Sequence, residues 1–255
     1  GAISFGPHSP HSQRTAWSAQ EGMIVSTAKL TYFRGRGRAE TTRWMLAATG
    51  VAFTNVPVDT PEDLAALRAS GKLPFDQMPL LEIDGHCLSQ SSAMIRYLAR
   101  RGDLYGANDL DAMWCDLVAG VTADFAETAI QAAFKPTADV AIADLEVRFA
   151  KFAPRFEARI EEQGSGFCAA ERMTFADVVL AEALSSYLEW CPDILSGTPR
   201  LAALYEVITS LPGVGAYLAS DQRYPRPDDT YVIAAARVLQ RALPPHMPEA
   251  DRFVV

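Results

Sequence analysis

The segment from Lys29 to Glu40 constrains the fold and function of this chain more than any other stretch. A run of β-branched and aromatic residues, 30–33, meets a turn with two glycines, and a helix-favouring stretch, 38–48, follows. The pattern predicts a strand that enters a helix through a tight turn. Such a junction brings together the Tyr32 hydroxyl, the free N–H groups of a helix start and three arginines, which are Arg34, Arg36 and Arg38. We expect an anion or a thiolate to bind there; the alternative is a structural junction with solvated arginines.

Composition excludes several classes of partner. The chain has 255 residues, 49% of them hydrophobic, and a formal net charge of -8. This charge argues against nucleic acid or an anionic membrane surface as a partner. No apolar run approaches the ~20 residues that a membrane span requires. We therefore expect a soluble, cytoplasmic protein.

The cysteines and histidines indicate neither disulfides nor a metal site. Four cysteines are widely spaced, and none forms a C-x-x-C pair. A chain of this length has no need of disulfides to stabilise its core. No Cys/His spacing fits zinc, so we predict free thiols and no metal.

The pattern of apolar residues divides the chain into four parts. Residues 1–26 lack a periodic apolar pattern and are predicted to be a disordered extension. Residues 27–104 alternate strands and helices, with an Asp-Gly hairpin signal at 84–85. Residues 109–241 are helical almost throughout, and 242–255 form a tail. The predicted strands are 29–33, 54–58, 80–83 and 86–88; the predicted helices are 38–49, 61–70, 91–101, 110–135, 140–163, 176–190, 199–210, 214–220 and 228–241.

Two helix starts in the helical part, 109–241, carry particular signals. Thr174 and Asp177 precede an apolar run, which predicts a capped helix start with a structural role. The segment 228–241 follows two prolines, begins with acidic residues and has apolar residues at three- and four-residue spacing. It is predicted to be an amphipathic helix.

Five motifs in this order resemble the cytosolic glutathione S-transferases. They are Lys29 to Phe33 with Arg36-Gly37-Arg38, 62–68, Phe75 to Gly85, Gln90 to Leu98, and Thr174 to Asp177. Within that family the chain resembles the Tyr-type classes, with the alpha class most similar and the sigma class second. The resemblance implies an α/β thioredoxin-like domain of βαβ-ββα order that binds glutathione, followed by an all-helical domain. In the alpha class, a helix equivalent to 228–241 closes the substrate site.

The resemblance also implies which residues bind glutathione. Met78 and Pro79 would pair with its cysteinyl part through a cis Met78–Pro79 bond, although the sequence alone also permits a trans bond. Gln90 and Ser91 would hold the γ-glutamyl carboxylate; by themselves they predict only a helix N-cap. Two further residues, Arg68 and Gln77, match positions that contact the glycyl end.

Tyr32 and Arg38 are the candidate catalytic residues. A thiol with a pKa of about 8.5 is mostly protonated at neutral pH, whereas the nucleophile is the thiolate. A hydrogen bond from the Tyr32 hydroxyl, with the Arg38 guanidinium nearby, favours the anion. The thiolate then attacks a small hydrophobic electrophile, so no cofactor is required beyond glutathione as co-substrate.

Three residues imply a homodimer. Asp124 and Lys151 match residues that reach the glutathione of the other subunit, and Phe75 matches an aromatic side chain that inserts between helices of the partner. Lys151 keeps the charge of an arginine at that position but loses its planar bidentate geometry. Without the resemblance, Asp124 would be interpreted as a solvated carboxylate.

Other functions remain open at this stage. A glutathione-dependent isomerase or peroxidase would use the same site, and a non-catalytic relative would bind ligands without turnover. A thiol-disulfide reductase of this fold needs a cysteine at the first strand-to-helix junction, where this chain has Tyr32.

Overall fold

The computed structural model describes residues 27–247. The predicted disordered extension, 1–26, lies outside the described residues, as does the end of the tail, 248–255. The two-part organisation predicted from the sequence is confirmed: a thioredoxin-like domain is followed by a helical domain.

The first domain is built on a four-stranded sheet. Its strands lie in the order β2-β1-β3-β4, with β1 parallel to β2 and antiparallel to β3. Buried apolar side chains of β1 and β3 face the helices. The strands are β1 Ala28–Tyr32, β2 Phe53–Pro57, β3 Leu80–Ile83 and β4 His86–Ser89, and the helices are α1 Glu40–Ala48, α2 Pro61–Ala69 and α3 Ser91–Arg101.

The second domain is helical throughout its described part. Its helices are α4 Asp109–Gln131, α5 Ala138–Gln163, α6 Phe175–Leu188, α7 Pro199–Thr209, α8 Pro212–Leu218 and α9 Asp229–Leu239. Helix α6 is buried on nearly all sides and packs against both α4 and α1. It therefore forms the core of the second domain and part of its contact with the first.

Helix boundaries differ from the predictions where local turns interrupt the periodic pattern. The helix predicted for 38–49 begins with a 3-10 turn, Gly37–Ala39, and Gly37 itself has a φ of 41°, outside the helical range. The helix predicted for 110–135 ends at Gln131 in a second 3-10 turn, Ala132–Phe134. Both turns lie beside the candidate site.

The predicted cap at Thr174 and Asp177 is present and deeply buried. Asp177 accepts hydrogen bonds from the Thr174 N–H and hydroxyl, both at 2.8 Å, and from the Cys168 N–H at 2.7 Å. Its carboxylate thus fixes the preceding loop as well as the helix start. Burial nevertheless raises the pKa of Asp177, because desolvation outweighs these hydrogen bonds.

Within residues 27–247 no single helix has the length and hydropathy of a membrane span. Helices α7 and α8, which meet at a bend of 88°, reach those values only when they are taken together.

Candidate active site

The sheet gathers the predicted site residues at one end. Thr31 of β1 pairs with Leu80 of β3, so Tyr32, the last residue of β1, lies next to Pro79. Ser89, the last residue of β4, also pairs with Leu80. The C-terminal ends of β1 and β4 and the start of β3 therefore lie at the same end of the sheet.

Tyr32 is buried, and its hydroxyl faces the turn before α1. The backbone N–H of Arg38 donates to the Tyr32 hydroxyl at 3.3 Å. The turn approaches so closely that a Cβ on Gly37 would lie 2.8 Å from the Tyr32 hydroxyl oxygen. Gly37 thus provides both a positive φ and the space that this hydroxyl occupies.

The expectation that three arginines jointly hold an anion is wrong for two of them. Arg34 forms an ion pair with Asp59 at 2.8 Å, and the buried Arg36 is paired with Glu189. Their charges are neutralised by carboxylates of the protein itself. The third, Arg38, has an exposed guanidinium that lies 3.1 Å from the Glu127 carboxylate. Its contact with Tyr32 is made by its backbone N–H.

The predicted γ-glutamyl and cysteinyl contacts lie together around β3 and α3. The Met78–Pro79 bond is cis, as the resemblance implied. Gln90 precedes α3 with a φ of 68°, and its side-chain amide donates to the side-chain Oε1 of Gln77. Ser91 is the first residue of α3 and exposes the N–H groups of the helix start on this side. An exposed patch of hydrogen-bonding groups results, able to hold a carboxylate and a peptide group.

The remaining predicted contacts are distributed over both domains. Arg68 on α2 is paired with Asp76 at 2.7 Å, beside Gln77. Asp124 on α4 and Lys151 on α5 are exposed, and no hydrogen bond described for residues 27–247 joins their side chains to the first domain. Phe75 is 71% exposed. A single chain therefore brings together the predicted glutathione contacts of the first domain and leaves Asp124, Lys151 and Phe75 on its surface.

A cavity of about 390 Å³ opens directly beside Tyr32. One wall is the first domain, with Phe33 and the turn at Gly37, and a second is the end of α4 with the following 3-10 turn. Helix α9 and the chain after it form the remaining walls. Most of the lining is apolar, and it includes Phe33, Ile130, Phe134, Val232 and Leu239.

Sequence reasoning missed Tyr231, which places a second hydroxyl at the reaction site. Asp228 caps α9 by accepting the Tyr231 N–H at 3.2 Å, which fixes this first turn. The Tyr231 ring covers Gly35, and a Cβ on Gly37 would lie 2.6 Å from its hydroxyl oxygen. Burial and the adjacent Tyr32 raise the pKa of Tyr231, so its hydroxyl stays protonated. The only signal in the sequence was an aromatic residue in the first turn of the tail helix.

Sequence reasoning also missed the role of Glu182, a buried acid in α6. Thr41 of α1 and Ser186 donate to its carboxylate, at 2.9 and 3.3 Å. Burial, and then repulsion from Glu40, raise the pKa of Glu182 to about 7. Glu182 lines a small chamber of about 40 Å³ that also reaches Gly37 and Tyr231, enough for a water molecule. An acidic residue inside an apolar run was its signal in the sequence.

The described residues, 27–247, include no group of three or more His, Cys, Asp or Glu side chains placed to hold a metal ion. Their four cysteines, Cys87, Cys115, Cys168 and Cys191, are free thiols.

Comparison with known proteins agrees with this architecture. The family model of the glutathione S-transferase N-terminal domain matches residues 28–100, and that of the glutathione S-transferase C-terminal domain matches residues 123–221. The rat glutathione S-transferase alpha-4 is 37% identical over 216 residues, which are 83% of this chain and 97% of the rat protein. The chain belongs to the glutathione S-transferase family and is a glutathione transferase. Its curated relatives are of the alpha class, which confirms the class predicted as most similar.

Solved structures show the same fold. The glutathione S-transferase from Ascaris lumbricoides has a TM-score of 0.62 and 31% identity, and the match covers 79% of this chain and 99% of that one. The Na-GST-3 structure from Necator americanus has a TM-score of 0.66 and 26% identity, covering 75% and 96%. The latter structure is described as monomeric, so family membership does not determine the assembly of this chain.

Proposed function

We propose that this protein transfers the thiolate of reduced glutathione to small hydrophobic electrophiles. The observation that carries the proposal is the apolar cavity of about 390 Å³ that opens at the Tyr32 hydroxyl. A thiolate held at Tyr32 would face this cavity, and an electrophile bound there would lie next to the nucleophile. This arrangement supplies the proximity on which conjugation depends.

The exposed polar patch beside Tyr32 suits glutathione. The N–H groups at the start of α3, with Ser91, would hold the γ-glutamyl carboxylate, and Gln90 would assist. The Met78 backbone would pair with the cysteinyl part across the cis bond to Pro79. Arg68 and Gln77 would contact the glycyl end. This placement directs the thiol toward Tyr32.

Tyr32 would stabilise the thiolate by donating a hydrogen bond to it. Its hydroxyl already accepts the Arg38 N–H and keeps its own proton to donate to the sulfur. A decrease of two units in the thiol pKa corresponds to a preference of about 2.7 kcal/mol for the anion. Arg38 would add positive charge, although Glu127 neutralises part of it.

Helix α9 would serve as a lid over the electrophile. Its apolar face lines the cavity through Val232, Ala235 and Leu239, and removal of water from this space would strengthen the electrostatic effect of Tyr32. Isomerase or peroxidase chemistry would use the same thiolate and stays as a second candidate. A non-catalytic ligand carrier is the third.

Turnover of a standard electrophile tests the proposal. Purified protein with glutathione and an electrophilic aryl halide should form the thioether and follow saturation kinetics in both substrates. A panel of ketosteroids and hydroperoxides distinguishes isomerase and peroxidase activity. Glutathione binding without any product from the panel would support the ligand carrier instead.

We further infer a homodimer, because Asp124, Lys151 and Phe75 lie outside the single-chain site. Phe75 is 71% exposed, and Val147 on α5 is 74% exposed beside a groove between α4 and α5. Helix α4 also exposes an apolar stripe of Leu110, Met113 and Leu117. Burial of these side chains against a second copy would relieve their contact with water.

The Phe75→Ala variant tests the dimer. The substitution should weaken association by about 3 kcal/mol if the ring fills a pocket of the partner. Sedimentation measures assembly, and activity should decrease together with it on dilution. An active wild-type monomer would contradict the inference.

Free thiols in the described region also support a cytoplasmic location, where conjugation would detoxify reactive apolar compounds.

A further inference from the structure

The chain that follows α9 forms the outer wall of the electrophile cavity. Gln240 adopts a left-handed conformation with a φ of 50°, and the Arg241 N–H donates to the Ala236 carbonyl at 3.0 Å. The chain therefore turns back along α9. Leu243 and Met247 are then buried in a small apolar cluster, whose other members are Ala133, Val232 and Ala236. This cluster holds residues 241–244 in place in the lining of the cavity.

The ionisable side chains around the cavity make it positive. Among the described residues its lining contains two tyrosines, Tyr32 and Tyr231, two arginines, Arg38 and Arg241, and no Asp or Glu. Arg38 is paired with Glu127 at 3.1 Å. In the part of the chain that the structure describes, no carboxylate lies within ion-pair distance of the exposed Arg241 guanidinium. Within residues 27–247, the cavity thus combines an apolar body with one exposed arginine in its lining for which no described carboxylate forms an ion pair.

We propose that Arg241 selects electrophiles that carry a carboxylate at the end opposite to their reactive carbon. This inference rests on the proposed function, because it concerns the second substrate of that reaction. The apolar body of such a compound fills the cavity with its reactive carbon beside Tyr32. Its carboxylate then reaches Arg241, where the planar guanidinium binds it in a bidentate manner. An apolar electrophile without an anionic group fills the same space and leaves Arg241 in solvent.

The expected preference is modest, because Arg241 is exposed to solvent. Ion pairs at such positions change affinity by up to about fivefold, and a bidentate geometry extends the range to about tenfold. Added salt should reduce the preference, since solvent screens an exposed pair.

A matched pair of substrates isolates the carboxylate. One is an α,β-unsaturated ketone with a carboxylate at the end of its alkyl chain, and the other is its methyl ester. In both, the glutathione sulfur forms a bond to the β-carbon, the electron pair of the double bond moves to the enolate, and the α-carbon takes a proton from water. The chemistry is identical, so the ratio of kcat/KM for acid and ester reports recognition of the charge.

The ratio should respond to residue 241 in proportion to its charge. Arg241→Gln should lower the acid-to-ester ratio by about 3- to 10-fold, Arg241→Lys should keep part of it, and Arg241→Glu should lower it further. Arg172→Gln removes an exposed arginine paired with Asp103, far from the cavity lining, and should leave the ratio unchanged. A ratio that is the same in wild type, Arg241→Gln and Arg241→Glu would overturn the proposal.

A binding measurement separates this inference from the proposed function. Calorimetry of the saturated acid and its saturated methyl ester, with glutathione present, requires no turnover. If the wild type binds the acid more tightly than the ester and Arg241→Gln abolishes that difference, the result supports the role of Arg241. Failure to conjugate either ketone would count against the transferase function and not against the role of Arg241. Equal changes for acid and ester in that variant would overturn it.

Discussion

The proposed glutathione half and the proposed electrophile half of this site are assembled from different kinds of chain segment. The glutathione half consists of short motifs at the ends of three strands of one sheet, and the pairing of β1 and β4 with β3 brings them together. The electrophile half is assembled from segments far apart in sequence: Phe33, the end of α4, helix α9 and the chain after it. Local pattern therefore specifies the first half, whereas tertiary packing specifies the second.

This difference predicts that substitutions where the two halves meet lower the rate of every reaction. Substitutions in the second half should change the rate for some substrates only. The two halves meet at Gly37, Tyr231 and the chamber that contains Glu182. The largest effects are expected there.

Glu182 connects the two domains, since it lies on α6 and accepts a hydrogen bond from the hydroxyl of Thr41 in the first domain. Its pKa is raised to about 7 in the folded protein, so the folded state binds more protons than the unfolded state between about pH 4.5 and 7. Stability from this group is therefore complete below pH 4.5 and is lost as the pH rises through 7. At pH 8, Glu182→Gln should recover up to about 3 kcal/mol.

Denaturant titrations from pH 5 to 8 measure this effect. The difference in unfolding free energy between wild type and Glu182→Gln should grow with pH across that range. Glu206→Gln, a change at an exposed position of α7, should show no such trend. If the Glu182→Gln difference is also independent of pH, the carboxyl group keeps its ordinary pKa.

Gly37 supports both halves, because the Tyr32 and Tyr231 hydroxyls approach it. A Cβ there would lie 2.8 and 2.6 Å from these two oxygens, and the φ of 41° already disfavours other residues. Gly37→Ala should displace the Tyr32 hydroxyl and lower kcat/KM by about 10- to 100-fold for all electrophiles, the loss of a charge-assisted hydrogen bond. Gly50→Ala is the control: its φ is 68°, but no atom lies within 4 Å of the added Cβ. Gly50→Ala should lose stability and retain activity. If Gly37→Ala and Gly50→Ala have the same kcat/KM, displacement of the Tyr32 hydroxyl by the added Cβ is excluded as the cause.

Removal of the chain after Pro227 is the smaller test; it is directed mainly at the second half, and it also removes Tyr231 from the place where the halves meet. Without α9 and its apolar cluster, the cavity loses two walls, so KM for bulky apolar electrophiles should rise severalfold while glutathione affinity stays nearly unchanged. A chain that ends at Met247 keeps these walls and should behave as wild type. Equal loss of glutathione affinity after truncation at Pro227 would assign α9 to stability rather than to the substrate site.

The same contrast explains which features sequence reasoning could predict. Strand-to-helix motifs, the hairpin at 84–85 and the cap at Asp177 depend on neighbouring residues, so their patterns predicted the first domain and the helical second domain. The pairing of Arg34 with Asp59 and of Arg36 with Glu189 depends on residues 25 and 153 positions away. Because these partners are distant in sequence, the segment between β1 and α1 read by itself suggested three unpaired arginines.

Tyr231 and Arg241 illustrate the same limit in the electrophile half. The spacing in 228–241 predicted an amphipathic helix, and the structure has α9 at Asp229–Leu239. Amphipathicity alone does not indicate which residue covers Gly35 or how the chain turns back after Gln240. The cavity walls follow from the packing of α9 against the turn after β1, which no short-range pattern contains.

Titration of the bound thiol tests the central claim most directly. The absorbance of the glutathione thiolate is followed against pH in complexes with wild type and with Tyr32→Phe, at saturating glutathione. In the wild-type complex the thiol pKa should lie well below its usual value of about 8.5, and in the variant it should return toward that value while affinity changes by no more than a few-fold. An identical thiol pKa in both complexes would contradict the assignment of Tyr32 as the group that stabilises the nucleophile.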